Sequence, residues 1–387
     1  MRASDLAAEV RATEYSGTTL GADLDRLERV AGVDAPEAAV FYAGRILEVL
    51  IAEEVRALGG EPSNNVYGNL VRLSELGVIP EFPARLAHAL RRVANEARHV
   101  QRHLTDDDVS LVRALLVHVL RWHFSAFPRG PRLPSLWAHD SPELDPLALF
   151  VDSLELGEAI QQKWDADPRF ARSSLTSALY IETLIADGSE DARIVAERVI
   201  TDALTRHPKD LRLRQLDGWL ARLRGDLDAS AQKLEAVLDE SEDVETVGLL
   251  AGTYKRMGKL QRSAELYRRA WKQSERRSTY AGINAASMSL LAGQRDVASQ
   301  IAMQVLGLFE RRNTQGGALE FTGYWELATY AEAKLLTGDV DGARALYRRV
   351  FSTYASQRGW IASTRSQLEQ LLRVLGGGNV ETFLTAV

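Results

Sequence analysis

Residues 245–274 read ETVGLLAGTYKRMGKLQRSAELYRRAWKQS, and this stretch decides the fold. Its apolar residues recur at intervals of three and four positions, which is the spacing of an amphipathic helix. Gly258 interrupts the pattern where the chain can leave a helix with a positive φ, and Leu260 starts the pattern again. We therefore predict two antiparallel helices joined by a short turn. One such hairpin cannot bury its own apolar face, so the pattern is expected to recur at about 34 residues.

The same pattern occurs in four places along the second half of the chain. The turn glycines of these units are Gly225, Gly258, Gly293 and Gly338, at intervals of 33, 35 and 45 residues. The longest interval indicates an insertion within residues 311–323. This period and this hairpin are typical of the tetratricopeptide repeat. The sequence therefore predicts an all-α protein, in which an N-terminal helical bundle is followed by a tetratricopeptide-repeat α-solenoid.

Proline placement divides the chain. Five of the 11 prolines lie in residues 128–146, a stretch with little helical periodicity. We predict a helical bundle over residues 1–127, a linker over 128–146, a repeat array with a capping helix over 147–376, and a tail over 377–387. Four tryptophans of the second half, Trp219, Trp271, Trp325 and Trp360, are expected in the repeat core.

Composition excludes several classes of function. The net charge of −6 provides no global basic field for nucleic acid, and the absence of cysteine excludes thiol nucleophiles and disulfides. No secretory signal and no run of 18 apolar residues is apparent, so a cytoplasmic protein without a membrane association is expected. No dinucleotide or nucleoside-triphosphate fingerprint occurs, and no cofactor is predicted.

A family resemblance is visible in the repeat region. The segments GLLAGTYKRMGKLQRSAELYRRAW, YAGINAASMSLLAG and GYWELATYAEAKLLTGDVDGARALYRRV resemble the TRAFs-binding domain of apoptosis-signal-regulating kinases and its bacterial relatives. The resemblance implies a regulatory or sensor module that receives a partner or a small ligand. Kinase activity does not follow, because the chain has no HRD or DFG motif.

The N-terminal half carries a second resemblance. The segments AGRILEVL, GVIP and LRRVANEARH are similar to the HEPN superfamily in its uncharacterised prokaryotic branch, although Ala94 stands where that family favours glycine. Nuclease members of that family cut RNA without a metal, with an arginine and a histidine at a dimer interface. The resemblance therefore implies a possible homodimer through the bundle.

Arg92 and His99 are the candidate catalytic pair. They are seven residues apart, so they share one face of a helix, with Asn95 and Glu96 beside them. A histidine near neutral pKa can move a proton at the 2′-hydroxyl of RNA while an arginine stabilises charge on the phosphate. The alternative is an inactive polar face. His99 and His103 share the spacing of two metal ligands, but no third ligand is evident and no metal is predicted.

Basic residues of the repeat region are the candidate ligand or partner site. Arg268, Arg276 and Arg348 each belong to an Arg-Arg pair, and on a common face they would hold an anionic ligand. The alternative is that these arginines pair with nearby acids on an exposed surface.

Three hypotheses on function follow. The first is a non-catalytic protein-interaction scaffold or sensor in intracellular, bacterial stress or antiviral-type signalling, which binds a partner or effector through the repeat array. The second is a HEPN-type, metal-independent endoribonuclease that uses Arg92 and His99, is regulated by the array and binds RNA. The third is a sensor of a nucleotide-derived ligand. The question of enzymatic activity stays open at this point.

Overall fold

The computed structural model describes residues 3–31, 33, 35–98, 104–126, 133, 136, 150–151, 154, 160–310, 323–355 and 358–385. In these ranges every regular element is helical, which confirms the predicted all-α fold. The chain forms two compact units. The first comprises Met1–Ser74 and Ile79–Leu216, and the second comprises Glu75–Val78 and Asp217–Val387.

The first unit is built around one long helix, α3. Pro36 stands at its first turn, where a missing N–H costs nothing, and its buried positions recur at helical spacing from Ala39 to Val55. Gly44 brings α3 close to α5, because a Cβ at Gly44 would lie 2.5 Å from the Cβ of Ala94. The helices that lie in this unit, in whole or in part, are α1 (Ala3–Arg11), α2 (Leu20–Ala31), α3 (Pro36–Ala57), α4 (Val66–Glu75), α5 (Glu81–Arg98), α6 (Asp106–Ala126), α7 (Ile160–Ala166), α8 (Pro168–Arg172), α9 (Ser174–Asp187), α10 (Glu190–Arg206) and α11 (Leu211–Arg224).

The core of this bundle contains a buried polar chain of three side chains. The Tyr15 hydroxyl lies 2.6 Å from Nε2 of His123, and Nδ1 of His123 faces the carboxylate of Glu54. His123 and Glu54 are both fully buried, and burial raises the pKa of the Glu54 carboxyl. These buried polar contacts join α3 to α6 and to the segment that carries Tyr15.

The second unit contains the predicted repeats. Each hairpin has a first helix and a second helix, and its turn glycine has a positive φ, between 73° at Gly258 and 90° at Gly225 and Gly338. The first helices are α11, α13 (Val244–Arg256), α15 (Thr279–Leu291) and α17 (Tyr324–Leu336). The second helices are α12 (Leu227–Leu238), α14 (Leu260–Gln273), α16 (Arg295–Glu310) and α18 (Val340–Thr353). Two further helices follow, α19 (Arg358–Leu375) and α20 (Val380–Thr385).

Successive hairpins share one hydrophobic core. Tyr267, Ala270 and Trp271 of α14 are buried in a cluster whose members extend from Val247 on α13 to Phe383 on α20. The second helices α14 and α16 each pack against the first helices on both sides of them, and α15 also contacts α17 and α19 directly. The repeat architecture predicted from the glycine spacing is therefore confirmed.

The end of the chain differs from its predicted form. Residues 377–387 are predicted to be a tail, whereas Val380–Thr385 form α20, with Val380 and Phe383 buried in the shared core. Gly376 and Gly378 have positive φ values, so the glycine run makes the turn that returns the chain to the array. Most of the predicted linker, residues 128–146, and residues 311–322 of the predicted insertion lie outside the described residues.

The boundary between the compact units does not coincide with the predicted linker. It falls inside α11, between Leu216 and Asp217, so residues 160–216 belong with the N-terminal bundle. Among the helices that the structure describes, none is long and apolar enough to cross a membrane.

Candidate functional site

Arg92 lies in a buried ion-pair cluster. Its Nη2 lies 2.9 Å from Oε1 of Glu182 on α9, and the same oxygen accepts from Nε and Nη2 of Arg212 at 2.9 and 2.7 Å. The side chains of Arg92 and Arg212 are each 14% exposed, and that of Glu182 is 5% exposed. The Arg92 guanidinium is therefore engaged by Glu182 within the first unit, in a cluster that it shares with Arg212.

The other members of the candidate catalytic set are not assembled around Arg92. Asn95 is exposed on α5, while the side chain of Glu96 and the whole of His99 lie outside the described residues, as does His103. In the part of the chain that the structure covers, no three His, Asp or Glu side chains gather as a metal site. The endoribonuclease hypothesis stays a prediction, and the engagement of Arg92 with Glu182 gives it no support.

The three candidate ligand-binding arginines each have a different setting. Arg268 on α14 donates to Oε1 of Gln294, and Arg348 on α18 donates from Nε to the Leu384 carbonyl oxygen at 2.6 Å. Arg276 is exposed in the turn after α14, with a φ of 59°. Two of the three therefore lie on second helices and bind groups of this chain. Their role in ligand binding stays a prediction.

A different surface emerges on the first helices. Three of these helices keep partly or fully exposed residues at the spacing i, i+4, i+7 on one side, and only Ser287 in this set is buried. We call this set the first-helix stripe. It consists of Glu245, Leu249 and Gly252 on α13, Tyr280, Asn284 and Ser287 on α15, and Trp325, Thr329 and Glu332 on α17.

Polar contacts join the stripe from helix to helix. Oε1 of Glu332 accepts from Oγ of Ser287 on α15 and, at 3.0 Å, from Nε2 of Gln367 on α19. Burial raises the pKa of Glu332, and desolvation lowers the pKa of Lys255, which is attracted to Glu332 from α13. These interactions connect α13, α15, α17 and α19. They involve two ionisable groups, Lys255 and Glu332.

Two of the tryptophans that the sequence predicts in the repeat core, Trp325 and Trp360, are exposed instead. Trp271 lies in the repeat core as predicted, at 3% exposure, but Trp325 is 52% and Trp360 is 41% exposed. The rings of Trp325 and Trp360 lie 5.8 Å apart, and both pack against the buried ring of Tyr324. Tyr324 thus takes the core position next to Trp325, which turns the indole outward.

This stripe is not among the candidate sites that the sequence predicts. The signal was present, because the stripe positions of α15 and α17 lie at the same distances before the turn glycines Gly293 and Gly338. At these positions Asn284, Ser287, Thr329 and Glu332 interrupt the hydrophobic periodicity of the two helices.

Family models agree with this architecture. The model described as Tetratricopeptide Repeats-Sensor matches residues 189–289, and the model of the MAP3K TRAFs-binding domain matches residues 249–360. The second half of the chain is thus a tetratricopeptide-type helical array, of a class that supports a protein-interaction role. Its similarity to the TRAFs-binding domain confirms that predicted resemblance.

The N-terminal half matches a family without an assigned role. Residues 25–134 match a domain of unknown function, DUF4145. This match does not assign the domain to the HEPN superfamily. The HEPN resemblance therefore stays a prediction. No curated protein matches the chain.

Proposed function

We propose that this protein is a non-catalytic interaction scaffold or sensor, whose repeat array binds a partner protein along the first-helix stripe. The N-terminal bundle docks an effector or a second copy of the chain. The setting that we propose is intracellular, bacterial stress or antiviral-type signalling, which rests on the resemblance of the repeat region to TRAFs-binding domains.

The observation that carries the proposal is the first-helix stripe, whose residues occupy equivalent positions on three successive first helices. Most residues of the first helix α15 are buried. The helix therefore has only a few surface residues that a partner could contact. Asn284 is partly exposed there, and Trp325 and Tyr280 are more than half exposed. Large aromatic side chains beside polar groups are the residues that dominate binding energy at protein interfaces.

Site-specific photo-crosslinking tests this proposal directly. A photoreactive amino acid replaces Asn284 in the stripe, and the full chain is expressed in the cells that naturally produce it. We expect a discrete crosslinked product after illumination, because the partner covers this position. The matched control places the same amino acid at Glu265, which is exposed on the second helix α14.

The position dependence of the crosslink decides the result. A product at position 284 that is absent at position 265 supports the proposal, and Trp325→Ala should then reduce its yield. Equal products at both positions, or a product at position 265 alone, would contradict binding along the stripe.

The endoribonuclease alternative is tested by a separate assay. RNA cleavage in the presence of EDTA that is lost in His99→Ala, with the fold unchanged, would establish it in place of the non-catalytic reading.

A further inference from the structure

Arg222 is a guanidinium whose charge is not balanced within the described part of the chain. It extends from α11 over α13, where its Nη1 lies 3.4 Å from the Leu249 carbonyl oxygen, and its Nε is buried without a hydrogen-bond partner. Gly252 makes room for it, since a Cβ at Gly252 would lie only 2.8 Å from Nη1. Desolvation and the neighbouring Arg256 both lower the pKa of Arg222.

Three further side chains converge on this guanidinium. Arg256, which is exposed on α13, donates to the Arg222 carbonyl oxygen at 3.4 Å. The buried Tyr267 is hydrogen-bonded to Tyr280, which is 56% exposed, and their rings lie 6.3 Å apart. Two cations and two phenols thus form a cluster that is buried at Tyr267, partly buried at Arg222 and exposed at Arg256 and Tyr280.

Among the residues that the structure describes, no carboxylate acts on Arg222. The groups that act on Arg222 electrostatically are Arg256 and the two tyrosines, and no acid is among them. Lys255 provides the contrast, because it lies at the equivalent position of the next hairpin and is attracted to Glu332. The carboxylate of Glu75, which contacts Tyr280, accepts from the first turn of α15, including the Tyr280 N–H at 3.0 Å, so it is already engaged there.

We propose that Arg222, Arg256, Tyr267 and Tyr280 form a binding site for the phosphate group of a small-molecule ligand. Two guanidinium groups supply two positive charges and a planar array of N–H donors, which match a phosphate dianion better than a single carboxylate. The half-exposed Tyr280 ring offers a surface to the rest of the ligand. This inference goes beyond the scaffold function, since it needs no protein partner.

Titration calorimetry on the purified full chain tests the site. The probes are inorganic pyrophosphate and a nucleoside diphosphate, with succinate as a dianion that lacks phosphate and a phosphoserine peptide as the macromolecular source. We expect both phosphate probes to bind and succinate and the peptide not to. Tighter binding of the nucleoside diphosphate would show that Tyr280 contacts the remainder of the ligand.

Two arginine substitutions test whether phosphate binds at this cluster. Arg256→Ala should weaken phosphate binding by about tenfold or more, because one charged hydrogen-bond donor is lost. The matched control is Arg373→Ala, which removes the same charge from a side chain that is 75% exposed on α19. It should leave the affinity unchanged. The proposal is overturned if no phosphate probe binds, if the peptide alone binds, or if both variants behave alike.

Arg222→Met separates a ligand site from a structural role. The unbalanced buried charge destabilises the free protein, so the neutral side chain should raise the melting temperature by about 2–4 °C while it abolishes phosphate binding. A lower melting temperature in Arg222→Met would assign Arg222 to the fold and overturn the proposal. Either result leaves the crosslinking test of the scaffold function unaffected.

Discussion

At the scale of single residues, charged side chains differ in whether an opposite charge lies beside them. Glu182 pairs with both Arg92 and Arg212, and Glu332 accepts from Ser287 and Gln367, whereas Arg222 has no carboxylate partner in the described part of the chain. Sequence reasoning selected Arg92 from its helical spacing to His99. It could not find Glu182, because that partner is 90 residues away and becomes a neighbour only in the folded unit.

Glu332 makes a testable contribution to the pH dependence of stability. Its pKa is raised by burial, so the folded state holds the proton more tightly than the unfolded state does. The contribution of Glu332 is therefore fully present below its unfolded pKa, about 4.5, and is lost as pH rises through the folded pKa. Urea unfolding of wild type and Glu332→Gln between pH 5 and pH 8 should show wild type losing stability relative to the variant.

The size of this effect is about 1.4 kcal/mol for each unit by which the pKa is raised. Comparing the two proteins at each pH removes the contributions of all other titrating groups. A wild type that gains stability relative to Glu332→Gln as pH rises would show that the folded-state pKa is lowered, against this account.

At the scale of elements, the sequence predicted the hairpins well and the chain end poorly. The turn glycines are visible in the sequence because only glycine adopts their positive φ at low cost, and the helices between them follow from periodicity. The last helix, α20, has only six residues and follows Gly376, Gly377 and Gly378. Its stability comes from tertiary packing, which neither helix propensity nor periodicity over so short a stretch reports.

The packing of α20 predicts a large effect of one side chain. Phe383 is 4% exposed and lies against Tyr347, and the carbonyl oxygens of Phe383 and Leu384 accept from Arg344 and Arg348. Phe383→Ala should lower the free energy of unfolding by about 3–4 kcal/mol, as expected for a buried phenylalanine. Chemical denaturation of the full chain measures this change.

Thr382→Ala is the matched control, because Thr382 is exposed on the same helix. It should change the free energy of unfolding by no more than about 0.5 kcal/mol. Similar effects of the two substitutions, both small, would mean that α20 does not belong to the array core.

At the scale of the whole molecule, the chain combines two compact units of different character. The first has a bundle core with the Tyr15, His123 and Glu54 chain, and the second has a core shared by successive hairpins. The sequence predicted this order of architectures, but it placed the division at a proline-rich stretch, since prolines mark linkers in general. Long-range contacts decide which helices form one compact unit, and these contacts extend the first unit to Leu216.

The account rests on the claim that the second unit binds its partner along the first-helix stripe. Hydrogen–deuterium exchange on the full chain, with and without the partner identified by crosslinking at position 284, tests this claim most directly. We predict slower exchange in the first helices α13, α15 and α17 and unchanged exchange in the second helices α14 and α16. Protection confined to α14 and α16, with none in α13, α15 and α17, would contradict it.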